Sequence, residues 1–346
     1  MDKKKLITSL VFIIIVGAVI ISLTVSKKSY AVGTTLVDTV KALNKGSSWS
    51  AGASGVYYTN SHEYRYIGAE VNNYVKFNND LYRIIGVFDS NSHGVTGTEL
   101  VKLIRARSLG GYSWGVYNTD NSAGTYSGYA NDWTGKSKTS KANLNVLFNE
   151  YFYNKTDTSS TYGDCANWTY YYYTNNSYKT KDCSDIITYG IDSSLRGYIE
   201  TATWYLYGSG TSQSKQNWYL CERGGNSCTP SGPSTGDTSV TSKIGLMYLS
   251  DYLYASGYYA STDTTTQGTS YYGNKNWLYK GYEWTLTPCT SNATYVWYVT
   301  GGNARNLSTY SPRGSRPTFY LKSSVYVTGG DGSFDNPYTL GCDNCS

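Results

Sequence analysis

The sequence predicts an α+β fold built on a mixed sheet, with two short helices and long loops. Three observations support this class. Strand-like runs, alternating or continuously apolar, recur between residues 64 and 327. Two stretches carry the i, i+3, i+4 spacing of a helix face. Loops of about 20 to 40 residues, rich in Gly, Ser, Tyr and Asn, separate these elements. No repeat of solenoid or propeller period is present.

The predicted strands are short and bounded by turn residues. Asn78, Asn79 and Asp80 separate two of them and predict a hairpin turn. The strands are predicted at residues 64–67, 74–77, 81–88, 100–105, 244–249, 284–286, 295–299 and 318–327.

The two predicted helices lie within residues 142–153 and 195–206. In each, apolar residues fall on one side of a 3.6-residue turn. These faces consist of Leu144, Leu147, Phe148 and Tyr151 in the first helix, and of Leu195, Ile199, Ala202 and Leu206 in the second.

The N-terminal segment predicts export. Three lysines precede twenty uncharged, mostly apolar residues that begin at Leu6 and end at Val25. As a helix this run would span about 30 Å, enough to cross a bilayer. Ser29 and Ala31 are small residues of the kind that a signal peptidase reads. Segment 1–31 is therefore either a signal peptide cleaved after Ala31 or a retained membrane anchor, and both place the rest outside the cytoplasm.

Charge argues against a nucleic-acid partner. The net charge is +5, and only 15% of the 346 residues are charged. Most of the excess belongs to the lysines of segment 1–31, so the remainder is close to neutral. A basic surface that could bind nucleic acid is therefore not expected.

The remaining chain divides by composition into three parts. Residues 32–62 are rich in Gly, Ser and Ala and predict a stalk or linker. Residues 63–341 hold the predicted strands and helices, with Cys-bearing loop insertions, and form the predicted domain. Residues 342–346 are a short tail.

Seven cysteines favour an oxidising compartment. Pairing of nearest neighbours would join Cys165 to Cys183 and Cys221 to Cys228, but spacing alone does not choose among the possible connectivities. The terminal Cys342 and Cys345 form a C-x-x-C pair, which could be a disulfide, a redox pair or half of a zinc site.

An ordered series of motifs across residues 63–340 resembles a domain of unknown function that is common in secreted proteins of Firmicutes. That domain is similar to C-type-lectin-like folds and to the formylglycine-generating-enzyme superfamily. The motifs are Y-R-Y-I-G-A at 64–69, L-N-V-L-F-N-E-Y-F at 144–152, K-I-G-L-M-Y-L-S-D-Y at 243–252, W-T-L-T-P at 284–288, V-W-Y-V at 296–299 and S-R-P-T-F-Y-L at 315–321.

This resemblance implies a C-type-lectin-like domain whose ligand surface lies between the W-T-L-T-P and S-R-P segments. Ser315 departs from the family, which has an apolar residue there. The enzymes of the superfamily use a cysteine pair near the C-terminal core, where this chain has Cys289 alone. Oxidase activity is therefore not expected.

The composition of this segment also suits binding. The chain holds 39 Tyr, and Tyr with Ser, Gly and Asn is the composition of antibody paratopes. Aromatic faces beside Asn and Arg also suit sugars. We expect Trp284, Trp297 and Phe319 to be core, Arg316 to be structural, and loop 301–314 to bind ligand. The candidate ligand-binding residues are Tyr295, Tyr298, Asn303, Arg305, Asn306, Tyr310 and Arg313.

No cofactor is predicted. Asp331 and Asp335 could bind Ca²⁺, but their spacing departs from an EF-hand loop, and a turn with Asx hydrogen bonds is the default interpretation. Two His residues and no G-x-S-x-G or H-E-x-x-H motif leave little catalytic machinery. A carboxylate pair such as Glu283 with Asp251 is the remaining enzymatic hypothesis.

The sequence therefore predicts a protein that is not an enzyme. We expect an extracellular or cell-surface module that binds a host or bacterial glycan or protein. The alternative is a structural surface subunit that self-assembles, and a hydrolase or oxidase is the third hypothesis.

Overall fold

A computed structural model describes residues 33–115, 133–134, 142–165, 172–174, 177–179, 183–225, 228–230, 237–257, 275–301 and 303–345. The predicted signal or anchor, segment 1–31, lies outside these residues. The described chain has the predicted α+β content, with short helices, several sheets and long loops. No helix in the described part is long and apolar enough to cross a membrane.

The described helices are all short. They are α1 (Leu36–Lys41), α2 (Ser90–His93), α3 (Asn143–Val146), which continues into a π-helix (Leu147–Phe152), α4 (Ser184–Thr188), α5 (Ser193–Arg196), α6 (Lys215–Glu222) and α7 (Leu249–Tyr254).

The strands are numbered in chain order. They are β1 (Gly55–Tyr58), β2 (Tyr64–Ile67), β3 (Tyr74–Phe77), β4 (Asp80–Phe88), β5 (Leu100–Arg105), β6 (Gly111–Tyr112), β7 (Thr158–Ser159), β8 (Gly163–Asp164), β9 (Tyr172–Thr174), β10 (Ser177–Lys179), β11 (Ala202–Tyr205), β12 (Tyr207–Gly208), β13 (Thr229–Pro230), β14 (Ser239–Ser242), β15 (Glu283–Pro288), β16 (Tyr295–Thr300), β17 (Asn303–Ser308), β18 (Arg313–Gly314), β19 (Thr318–Leu321), β20 (Tyr326–Gly329) and β21 (Thr339–Gly341).

Two larger sheets organise the described chain. The first has the order β1-β2-β4-β5-β19, with β3 paired to β4, and its pairs are antiparallel. The second has the order β17-β16-β15-β18-β6 and is mixed, because β15 and β18 run parallel. The chain passes between the sheets twice, from β5 to β6 and from β18 to β19, so the two sheets are adjacent at these crossings.

The first sheet forms where local patterns are strongest. Strand β4 is buried along most of its length, as expected of a central strand whose two faces are covered. Asn78 and Asn79 both have positive φ, 57° and 56°. This is the backbone of a type I′ turn, which favours Asn, and it confirms the predicted hairpin between β3 and β4.

The first predicted helix is confirmed, with one local difference. All four residues of its predicted apolar face are buried. The chain is α-helical over Asn143–Val146 and then π-helical over Leu147–Phe152. Asn149 bonds outward from the π segment, since its Nδ2 donates to the carbonyl of Ile244 and its Oδ1 accepts from the Ile244 amide, both at 3.0 Å. These contacts tie the helix to the segment before α7.

The second predicted helix, residues 195–206, is wrong except for its first two residues. Helix α5 ends at Arg196, and Ala202–Tyr205 is strand β11. Ala202, Trp204 and Leu206 are buried and alternate with partly exposed residues. Ala202 and Leu206 are four residues apart, a spacing that fits one face of a helix and also one face of a strand. The burial of Trp204 between them fits the strand only.

Two strand predictions also need correction. Residues 244–249 contain only an isolated bridge between Gly245 and Thr318, and α7 begins at Leu249. The amide of Tyr248 donates to Asp251 Oδ2 at 2.9 Å, which caps this helix and ends the extended segment. The predicted strand 318–327 is divided into β19 and β20.

The prediction that residues 32–62 form a stalk is wrong. Helix α1 buries Leu36 and Val40, and the Leu36 amide donates to the carbonyl of Val325 at 2.8 Å. Strand β1 is part of the first sheet. The Gly and Ser residues that favoured a stalk occupy the loop between α1 and β1, while the apolar residues before them pack into the domain.

Three disulfides are present. Cys165 is bonded to Cys183 and Cys221 to Cys228, as nearest-neighbour pairing predicts. Cys342 is bonded to Cys345, which selects the disulfide among the three interpretations of the C-x-x-C pair. Cys289 is a buried thiol whose Sγ lies 3.3 Å from Ser291 Oγ.

Candidate functional site

One face of the second sheet carries several of the predicted ligand-binding residues. Tyr298 on β16 lies opposite Trp284 on β15 and opposite Arg305 on β17, and Thr300 lies opposite Asn303. Directly opposed residues of an antiparallel pair share a face. We call this the outer face, and it comprises Tyr282, Trp284, Tyr298, Asn303, Arg305 and Arg313.

Arg313 is the centre of the outer face. Its guanidinium carbon lies 5.2 Å from the ring centroid of Tyr298 and 5.9 Å from that of Tyr282. Its Nη1 donates to the carbonyl of Pro312 at 2.7 Å, which fixes one edge of the guanidinium. Tyr282 is 59% exposed, the largest exposed fraction among the exposed large hydrophobic side chains of the described chain. The arrangement is a cation between two aromatic rings, one of them open to solvent.

A rigid floor supports this arrangement. Trp284 is buried, and its Nε1 donates to the carbonyl of Tyr112 on β6 at 2.9 Å. The Trp284 ring meets that of Tyr298 edge to face at 5.9 Å between centroids. Tyr298 is therefore held by packing, and Tyr282 and Arg313 are the more accessible members.

The other face of the sheet packs inward. Trp297 is buried, lies edge to face with Trp218 of α6 at 5.1 Å, and donates from Nε1 to the carbonyl of Ser209 at 2.8 Å. Tyr295 and Asn306 share this inner face, because Asn306 lies opposite Trp297 and Tyr295 is two residues before it.

The predicted ligand-binding residues are thus divided by the sheet. Tyr298, Asn303, Arg305 and Arg313 belong to the outer face. Tyr295 and Asn306 lie on the opposite face, because Asn306 is opposite Trp297 and Tyr295 is two residues before it, so the sheet does not bring them together with these four. Tyr310 follows β17 in a loop, where its carbonyl accepts a hydrogen bond from Ser113 Oγ at 2.8 Å.

The expected core and structural residues are confirmed. Trp284, Trp297 and Phe319 are buried. Arg316 is also buried, and its Nη2 donates to Glu283 Oε2 at 2.6 Å and to the carbonyl of Leu278 at 2.7 Å. This ion pair joins β15 of the second sheet to the residues that lead into β19 of the first.

The outer face has a positive charge. From residue 282 to residue 314 the only carboxylate is Glu283. Its side chain lies on the inner face, where it pairs with Arg316. Burial raises the pKa of Glu283, and Arg316 opposes this rise. Arg305 and Arg313 on the outer face therefore have no carboxylate of these strands on their side of the sheet.

Two polar atoms of the outer face lack hydrogen bonds. Within the described chain, Arg313 Nε and Asn303 Oδ1 are buried and have no hydrogen-bond partner. A buried polar group in this state costs about 1–3 kcal/mol. A small shift of either side chain that gave it a partner would recover part of this cost.

Tyr282 was missed by the sequence analysis, which began the candidate segment at Trp284. A signal was available, because Tyr282 precedes Trp284 by two residues, and residues two apart in an extended chain point to the same side. The exposure of Tyr282 was not predictable from this spacing, since Trp284 on the same face is buried.

A second group of polar residues is fully buried. Arg65 on β2 donates from Nη1 to Asp251 Oδ1 at 2.9 Å and from Nη2 to Glu63 Oε2 at 2.5 Å. Lys102 on β5 donates from Nζ to Asp251 Oδ2 at 2.6 Å. We call these four residues the buried ionic cluster. Two cations balance two carboxylates, as burial of charge requires.

Burial and pairing act against each other in this cluster. Burial alone would raise the pKa of Asp251, but Lys102 and Arg65 outweigh it and hold that pKa below its usual value. Burial lowers the pKa of Lys102, although Asp251 opposes the change. Within the cluster, each charged group is therefore stabilised by its oppositely charged neighbours in place of water.

The carboxylates proposed as a catalytic pair lie in two separate ion pairs. Asp251 belongs to the buried ionic cluster, and Glu283 is bound by Arg316. Both side chains are buried and each already has its own cation.

The segment considered for Ca²⁺ is a turn. Asp331 Oδ1 accepts from the Ser333 amide at 3.0 Å, and the Asp331 amide donates to the carbonyl of Asn336, also at 3.0 Å. This is the Asx-type turn given as the default interpretation. Among the described residues, Asp335 included, no group of three or more His, Cys, Asp or Glu could hold a metal ion.

No family model, curated protein or solved structure matches this chain. The resemblance to a secreted domain of C-type-lectin-like type therefore stays a prediction.

Proposed function

We propose that this domain is an extracellular ligand-binding or adhesion module, and that the outer face of the second sheet is its ligand surface. The observation that carries the proposal is the position of Arg313 between the rings of Tyr282 and Tyr298, on a face to which residues 282–314 contribute no carboxylate. The three disulfides are compatible with an extracellular location.

The geometry suits a sugar. An exposed ring such as Tyr282 can stack on the C–H face of a pyranose, while guanidinium and amide groups bond its hydroxyls. Tyr298 contributes area with little loss of side-chain entropy, because Trp284 already fixes its ring. Asn303 and Arg313 each have a buried polar atom that a small rearrangement on binding would satisfy.

The charge of the face selects among ligands. Arg305 is exposed and Arg313 is partly exposed, and both are free of competition from carboxylates of these strands. Arginine binds carboxylate and sulfate-like groups through paired N–H donors. We therefore propose an acidic glycan as the ligand class, and an acidic protein surface is the alternative that the experiment distinguishes.

The test is binding of the full chain to an array of acidic and neutral glycans and of surface proteins. We expect saturable binding to acidic glycans that weakens as salt is raised. Tyr282→Ala and Arg313→Ala should each weaken binding about tenfold or more, which corresponds to a loss of about 1.4 kcal/mol.

Matched controls are available in the same chain. Phe334 is 58% exposed, nearly the same as Tyr282, but lies in the turn before β21. Arg107 is an exposed arginine outside the outer face. Phe334→Ala and Arg107→Ala should leave binding unchanged. Equal effects of the test and control variants would show that the ligand surface is elsewhere.

Two other outcomes would replace the proposal. Binding to proteins alone would make the ligand an acidic protein surface. Filaments that form with rising protein concentration, without ligand and without effect of Tyr282→Ala, would support the structural surface subunit instead.

A further inference from the structure

Lys102 has surroundings unlike those of the other described lysines that form ion pairs. It lies in the middle of β5, is fully buried, and has four aromatic rings around its ammonium group. The distances from Nζ to the ring centroids are 4.4 Å for Tyr248, 5.2 Å for Trp204, 5.3 Å for Tyr320 and 5.4 Å for Phe88. Within the described ranges, the carboxylate that it contacts is that of Asp251, 2.6 Å away.

Asp251 is held in a fixed orientation. Its Oδ1 accepts from Arg65 Nη1, and its Oδ2 accepts from both Lys102 Nζ and the Tyr248 amide. The carboxyl carbon is one bond from Oδ2, so Nζ lies next to it. Both residues are buried, and the rings exclude water from the amine.

We propose that Lys102 and Asp251 become joined by an intramolecular isopeptide bond. The link would connect β5, which lies between β4 and β19 in the first sheet, to the first turn of α7. This inference is independent of the proposed ligand surface.

The reaction is a condensation that needs no oxidant or other reactant. The bond between Lys102 Nζ and Asp251 Cγ forms, and the bond between Cγ and Oδ2 breaks. Two of the three ammonium protons leave with Oδ2 as one water molecule. A buried cation and a buried anion are replaced by a neutral amide, so the change in charge is zero and the cost of keeping two ions out of water is removed.

Arg65 acts as a positioning residue. Its Nη1 donates to the oxygen that remains on Asp251, where negative charge develops when Nζ adds to Cγ. Glu63 holds Arg65 through two hydrogen bonds, from Nε at 3.0 Å and Nη2 at 2.5 Å. The first proton passes along the existing Lys102–Asp251 hydrogen bond, and burial of Lys102 favours its release.

Two other lysines provide comparisons within the molecule. Lys41 lies 2.6 Å from Glu99 and Lys155 lies 2.5 Å from Asp192, distances like that of Lys102 to Asp251. Their side chains are about one third exposed. In water the amine stays protonated and the carboxylate stays ionised, so neither pair should condense.

The test is a peptide map of the purified full chain after reduction and alkylation. Trypsin cannot cleave after an acylated lysine, so residues 84–105 should remain in one piece, attached to residues 244–275. The mass of this branched peptide should be lower than the summed masses of its two parts by one water molecule, and the linear peptide 84–102 should be lost. The Lys41 and Lys155 pairs should remain unlinked.

The wild-type digest alone decides the question. Full recovery of linear peptides 84–102 and 244–275, with no branched species, would overturn the proposal whatever the variants do. Lys102→Arg and Asp251→Ala should abolish the branched peptide, whereas Lys41→Arg should leave it in place. A branched peptide that involves a different lysine would also contradict the assignment to Lys102.

Discussion

The substitution Arg316→Met tests how the two sheets are held together. Arg316 is buried and bonds Glu283 of the second sheet from the segment that enters β19 of the first sheet. Methionine keeps the apolar part of the side chain but removes both the charge and the donors. Glu283 is then left as a buried carboxylate without its cation.

The expected cost follows from this loss. Removing one partner of a buried ion pair costs about 3–5 kcal/mol, because the remaining charge stays out of water. The carbonyl of Leu278 also loses its donor. We expect the free energy of unfolding at neutral pH to fall by this amount, measured by urea unfolding with tryptophan fluorescence as the signal.

The cost should shrink in acid. In the variant, Arg316 no longer opposes the effect of burial on Glu283 and only the weaker effect of Lys280 remains, so the folded pKa of Glu283 rises further above the unfolded value. A raised carboxyl pKa means that the folded state binds the proton first. The variant should therefore recover stability relative to wild type as pH falls from 7 toward the unfolded Glu pKa of about 4.3.

Two controls make this prediction refutable. Lys41→Met breaks an ion pair of the same 2.6 Å length whose side chains are 33% and 39% exposed, and it should cost less than about 1 kcal/mol. The double variant Arg316→Met, Glu283→Met should be more stable than Arg316→Met alone, because it removes the stranded carboxylate. A cost below 1 kcal/mol, or a double variant that is no better, would show that the charge is not what matters.

Two further predictions concern the turn and the tyrosines. Asn79 has a φ of 56°, which Gly adopts freely and Val does not. In urea unfolding, Asn79→Gly should leave the free energy of unfolding unchanged or raise it, whereas Asn79→Val should lower it by about 1–2 kcal/mol. Equal effects of the two substitutions would refute the turn assignment. Burial raises the pKa of Tyr219 and of Tyr254 to about 12. Unfolded Tyr ionises near pH 10, so stability should be lost as pH rises above about 10, and a Tyr219→Phe, Tyr254→Phe variant should show a shallower loss in alkaline urea titrations.

The sequence predicts the first sheet well because its pattern is local. Strands β2 to β5 follow one another closely, and Asn78 and Asn79 mark the hairpin by their own backbone preference. Helix α6 was missed because half of its sequence, K-Q-N-W-Y-L-C-E, is polar. Its buried Lys215 and Glu222 are tolerated only because tertiary contacts satisfy them, and Glu222 Oε1 accepts from Thr287 Oγ1 at 2.6 Å.

The candidate site was predictable in composition but not in orientation. Trp297 and Tyr298 are adjacent aromatic residues. The two-residue period of a strand places them on opposite faces, but it does not determine which of them faces the core. That choice is made by Trp218, which lies far away in the chain and packs on Trp297. The buried ionic cluster had no local signal either, because Lys102 and Asp251 are 149 residues apart.

The pairing of β19 with β5 also sets an order of events for an exported chain. Tyr320 lies opposite Lys102 in this pairing and supplies one of the four rings around its amine. A chain that crosses a membrane from its N-terminus delivers β5 long before β19. Until the last strand arrives, Lys102 is open to water on that side and the first sheet has an unfinished edge. In a chain exported as its sequence predicts, the first sheet and the surroundings of Lys102 would therefore be complete only after β19 has crossed the membrane.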